Sequence, residues 1–125
     1  MNKAALKYAD GNNLTSVMAA DARELIVIIH ERIFDHLKTA KVALENNEMP
    51  VDSFVKAGDL ILKGLLGCLD YEKGKEIAQN LSLIYVWSLQ ELISARAERS
   101  ADKVQDVMDT LNPLYEAWVD LSDKV

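Results

Sequence analysis

Apolar residues in this chain fall into four stretches of helical period, joined by short polar connections. In the third, apolar or small residues recur at 77, 81, 84, 85, 88, 92 and 95, the spacing of one side of an amphipathic helix. A turn of Asp70, Tyr71, Glu72, Lys73 and Gly74 precedes it. At about 100° per residue, Leu83, Val86 and Trp87 point away from that stripe. A helix apolar on two sides needs two partners.

The other stretches read more simply. Asp21 and Glu24 form a D-x-x-E variant of the capping box, so the first long helix is expected to start at Asp21 and run to about Glu45. Its core stripe is Leu25, Ile26, Ile29, Ile33, Leu37, Ala40 and Leu44, with Val27 and Phe34 as a second strip. After the polar connection Asn46–Met49, Pro50 suits the first turn of a second helix that reaches about Leu69. There Phe54, Ala57, Ile61, Leu65 and Cys68 make one stripe, while Val55, Leu62, Leu66 and Leu69 make another. Gly58, Gly64 and Gly67 lie inside it at roughly 1 kcal/mol each relative to alanine, which fits either close helix contact or plasticity. After a turn at Ala97–Ser100, Ser100 is a plausible N-cap for the last helix, whose stripe is Val104, Val107, Met108, Leu111, Leu114, Tyr115 and Trp118. Pro113 removes one backbone bond within it and predicts a bend. Leu81 and Leu111 stand at the centres of their stripes.

Four such helices with connections of about four to six residues predict an all-α, antiparallel up-down-up-down four-helix bundle. Residues 21–121 would form the bundle and 122–125 a frayed tail. The first twenty residues carry only a weak pattern, in which Leu6 and Tyr8 precede a loop-like Asp10-Gly11-Asn12-Asn13 cluster. That segment is either a frayed terminus or a latch packed on the bundle.

Composition narrows the function. The 125 residues are half hydrophobic with two prolines and five glycines, which suits one domain of long helices. A net charge of −6 without clustered Lys or Arg argues against nucleic-acid binding. No apolar run reaches the roughly 18 residues of a membrane span, and the N-terminus lacks a signal-peptide pattern, so the expected location is cytoplasmic. Cys68, the single cysteine, is expected as a buried reduced thiol.

Candidate chemistry is sparse. A di-iron bundle would use Glu-x-x-His pairs, and none occurs. His30 and His36 are about 120° apart around one helix and do not ligate one metal, and His36 falls near the core stripe. Lys73-Gly74-Lys75 lacks the remainder of a phosphate loop. No catalytic residue, metal or cofactor is therefore assigned, and an enzyme is the less favoured class.

The segment Leu69-Asp70-x-Glu72-Lys73-Gly74-x-Glu76-Ile77-Ala78-x-Asn80-Leu81-x-x-Ile84-Tyr85 resembles the "LD-x-EKGGEIA-x-NL-x-x-LY" segment of the flagellin export chaperone family, FliS. Asp21-x-x-Glu24-Leu25-Ile26 and Leu114-Tyr115-Glu116-Ala117-Trp118 are similar to its "SP-x-ELI" and "L-x-EAW" segments. The resemblance implies a cytoplasmic chaperone that covers the C-terminal segment of flagellin before secretion and meets components of the flagellar export apparatus. It also implies that an N-terminal tyrosine, here Tyr8, can lie over the apolar surface that receives flagellin. On this reading the partner surface comprises Tyr8, Val55, Leu62, Leu66, Leu83, Val86 and Trp87, although Leu62 and Leu66 also suit the flanks of a broad core. Two other readings stay open: a homodimeric helical adaptor whose extra strips bury a dimer interface, and a bundle enzyme with an unrecognised site.

Overall fold

The structure, a computed structural model, describes the backbone of residues 11–123 and the side chains of residues 23–121. Among the described residues there are four helices and no strand: α1 (Gly11–Glu45), α2 (Val51–Asp59), α3 (Tyr71–Glu98) and α4 (Ala101–Asp123). The expected all-α helical bundle is what is observed. α2 continues into a π-helical segment, Leu60–Leu65, and a 3-10 turn, Leu66–Cys68.

The boundaries follow local chemistry. Asn47 takes a left-handed φ of 61° at the end of α1, while the Glu48 N–H reaches back to the Ala43 carbonyl at 2.8 Å. That pairing closes the helix C-terminus. Arg99, with φ 53°, does the same after α3, and the Ser100 N–H meets the Ala95 carbonyl at 2.9 Å. Ser100 then caps α4, its hydroxyl accepting from the Lys103 N–H at 3.1 Å. One expectation fails here: α1 begins at Gly11, so Asp21 lies within the helix and does not cap it. A D-x-x-E pair is equally at home inside a helix, and Gly11, Asn12 and Asn13 belong to its first turn. Tyr8 lies outside the described residues.

The core is one continuous cluster. It joins Ile33, Leu37 and Ala40 of α1, Ala57, Ile61 and Leu65 of the second helical rod, Tyr85, Leu92 and Ala95 of α3, and Val104, Val107 and Leu111 of α4. Lys41 donates to Gln105 at 3.0 Å and Tyr115 to Glu31 at 2.8 Å, so α1 and α4 run in opposite directions. The Cβ of an alanine at Gly64 would stand 3.1 Å from the Ile29 side chain, whereas at Gly58 it would meet nothing. Close helix approach thus explains Gly64 and leaves Gly58 unexplained.

His30, and not the half-buried His36, is the core histidine. Its Nδ1–H donates to the Ile26 carbonyl at 2.9 Å, and its ring packs beside Phe34 and Tyr115. Nε2 is buried with no partner. Burial lowers the His30 pKa from 6.5 because it penalises the imidazolium, and the Ile26 carbonyl offsets this only in part.

Two outcomes are expected from this core. Leu111 is fully buried, so Leu111→Ala should lose roughly 2–5 kcal/mol in denaturant melts. Leu81 is only half-buried, so Leu81→Ala should lose less than Leu111→Ala. Because the folded pKa of His30 lies below its unfolded value, the unfolded chain takes up the proton first. The stability that neutral His30 provides is present above about pH 6.5 and is lost as pH falls toward the folded pKa. A difference curve of stability against pH between the native chain and His30→Leu should show this slope; parallel curves would contradict it.

Candidate partner-binding surface

α3 buries one side through Ala78, Tyr85, Ser88, Leu92 and Ala95. Ser88 is accommodated there because its hydroxyl donates to the Ile84 carbonyl at 2.9 Å. On the outer side Leu83, Val86 and Trp87, spaced i, i+3 and i+4, form one exposed strip. Leu83 is 68% exposed, and Val86 and Trp87 are each 39% exposed. Leu83 and Trp87 share a shallow depression with Ile84 and with Thr110 of α4. Ile93, 70% exposed and one heptad beyond Val86, extends the apolar surface. Its signal in the sequence was that i, i+7 relation to Val86.

On the second rod Val55 and Leu62 are exposed, but Leu66 is half-buried against the core. A π turn takes one residue more than an α turn and rotates everything after it. This rotation turns Leu66 inward from the exposed side it would share with Leu62 in an uninterrupted α-helix. It also overturns the expected burial of Cys68, which is exposed, its thiol 3.5 Å from the Lys63 carbonyl. The sulfur nevertheless borders an apolar cavity, and partial burial pushes the thiol pKa up.

That cavity, of about 260 Å³, lies at one end of the bundle and was not anticipated. Ile26, Leu65, Leu69, Leu81 and Trp118 form its apolar wall. Tyr85 also lines it; burial pushes its phenol up to about 12, and the Trp118 side chain opposes that shift only in part. The cavity lip is the expected Asp70 turn: the Asp70 carboxylate accepts from the Lys73 N–H at 3.0 Å. The helix is interrupted at Lys75, with φ 47° and ψ −119°. The interruption resets the helical register, so Ile77, expected in the core stripe, is 70% exposed and Ala78 is buried in its place.

Comparison with known proteins places these features in context. The family model described as Flagellar protein FliS matches residues 4–125. The chain is 32% identical over 119 residues to the Flagellar secretion chaperone FliS of Salmonella typhimurium, covering 94% of this chain and 88% of that protein. It is 36% identical over 97 residues to the Flagellar secretion chaperone FliS of Campylobacter jejuni, covering 77% and 76%. With the protein of that name from Escherichia coli it shares 26% identity over 113 residues, covering 89% and 83%.

The dihedrals of Lys75 are those of the first central residue of a type II′ turn, a position that favours glycine. The resembled "EKGGEIA" segment has glycine there. Lys75→Gly should therefore raise stability by roughly 1 kcal/mol, read as a higher Tm with the fold unchanged. A lower Tm would mean that this backbone conformation is not strained.

Proposed function

Because the chain belongs to the FliS family, we propose that it is a flagellar export chaperone that holds the C-terminal segment of flagellin in the cytoplasm until secretion. The observation that carries this reading is the exposed apolar strip Leu83, Val86 and Trp87, extended by Ile93, on a helix whose opposite side is already buried. Exposed apolar patches of this kind suit a partner surface. Recognition is of the helix-in-groove type, with apolar anchors on the incoming segment spaced at i, i+3 and i+4. Trp87 is the chief anchor, since tryptophan is enriched at interface hot spots. Val55 and Leu62 offer a second contact, and Leu66 supports it from the core edge.

No reacting group is needed for such holding. Covering the segment keeps its apolar side from pairing with other flagellin molecules, and ordering it on the chaperone costs conformational entropy that the apolar contact must offset. Components of the export apparatus would then receive the loaded complex.

Co-expression with a flagellin C-terminal fragment should give a complex that comigrates on size exclusion. Trp87→Ala should weaken binding at least about tenfold, or roughly 1.4 kcal/mol, while helicity and Tm stay nearly unchanged. A large fall in Tm with unchanged affinity would make Trp87 a core residue and remove the assigned site. A stable dimer that excludes the fragment would favour the adaptor reading.

A further inference from the structure

Another concave surface lies on the other flank of α4 from the Trp87 depression, in the groove between α1 and α4. It encloses about 450 Å³. Met108 borders this groove and Thr110 the Trp87 depression; at about 100° per residue these two positions are roughly opposite around the helix. One short segment therefore does not occupy both places.

The groove has an aromatic floor and acidic walls. Phe34, half-buried, meets the Tyr115 ring edge to face at 5.4 Å, with buried Met108 beside them. Glu31 and Asp35 stand on the α1 wall and Asp109 on the α4 wall, against one ammonium, Lys38. Neutral groups orient two of the carboxylates: the Tyr115 hydroxyl donates to Glu31 at 2.8 Å, and the Gln105 amide to Asp109 at 2.8 Å. No ion pair engages any of the three among the described residues. Lys41, the next cation along α1, donates to the neutral Gln105. Pro113, which also lines the groove, brings no N–H of its own to it.

We propose that this groove is a docking site for an arginine-bearing amphipathic segment of a second protein. The guanidinium N–H groups donate to the carboxylates of Asp35 and Asp109 while its planar face lies over Phe34. Arginine suits the site better than lysine because a flat ion with five donors matches several fixed acceptors and stacks on an aromatic ring. The chain's own basic residues ahead of α1, Lys3 and Lys7, are both lysines and bring no guanidinium. A second copy is disfavoured by the shared net charge of −6. Because the groove and the α3 strip lie on opposite flanks of α4, the protein can hold one partner in each.

The probe is a synthetic amphipathic helical peptide of about 18 residues with leucine on one face and arginine at i and i+4 beside it. A twin carries citrulline, the neutral isostere, at both arginine positions. Anisotropy titrations on the full chain should show the arginine peptide binding at least about tenfold more tightly than the citrulline twin, with that advantage shrinking as salt rises. Asp35→Asn with Asp109→Asn, which removes the charge and keeps one acceptor oxygen at each position, should abolish the advantage without changing Tm or the affinity for the flagellin fragment. The preformed complex with that fragment should bind the arginine peptide equally well. Equal affinity of the two peptides, an advantage that survives the double variant, or displacement of one ligand by the other would overturn the proposal. So would a dimer of the free chain that the arginine peptide dissolves, since a second copy would then fill the groove. The comparison of the two peptides on the free chain is made without flagellin, so its failure leaves the chaperone reading, on which the site does not depend, untouched.

Discussion

A helix in a bundle can turn only part of its circumference toward the shared core, and this limit governs the molecule. α3 meets it with Ala78, Tyr85, Ser88, Leu92 and Ala95, two of them alanine and one serine. Small residues let neighbouring helices approach closely, and Tyr85 and Leu92 carry most of the bulk on this buried side. The larger apolar groups Leu83, Trp87 and Ile93 stand outside it. Bulk that would stabilise a core is placed on the exposed side of the helix instead. The exposed strip is therefore a property of how α3 divides its residues, and the packing of α1 against α4 supplies the rigid frame that keeps that division fixed.

Periodicity disclosed most of this arrangement. The stripes of α1 and α4 became the core nearly residue for residue through Ile33, Leu37, Val104, Val107 and Leu111, because an uninterrupted helix keeps its phase. Leu83, Val86 and Trp87 were legible as an outward strip for the same reason. The misplaced residues cluster where the phase is broken. Leu66 and Cys68 follow the π-helical Leu60–Leu65, and Ile77 follows the break at Lys75. Neither interruption has a simple residue signature: nothing in the sequence marks a π turn, and a lysine with positive φ contradicts the usual reading of a glycine position. The end cavity is made by the same two interruptions, so it was hidden together with them.

Buried polarity was less legible still. A stripe of apolar letters gives no reason to expect His30 fully inside and His36 at the edge. His30 is tolerated because one ring nitrogen satisfies the Ile26 carbonyl, and because Phe34 and Tyr115 give the other a dry aromatic wall in which a neutral ring is the stable form. The same two rings floor the groove between α1 and α4. Core and groove thus share side chains, and a change at His30 would be felt in both.

A chaperone that leaves apolar surface in water must avoid associating with itself while remaining open to its partner. Scattered exposed leucines are ordinary, but a strip on a long rigid helix is a template for self-association unless something opposes it. Here the opposition is the overall charge: a net −6 on 125 residues disfavours the approach of a second copy. A partner segment with few charges meets no such repulsion, and one that carries arginine is drawn in. The acidic balance that argues against nucleic acid as a ligand therefore also acts as a selectivity device, separating self from partner before any short-range contact forms. In the proposed function the apolar strip supplies the contact area on one flank of α4, and in the proposed docking groove the carboxylates act on the other.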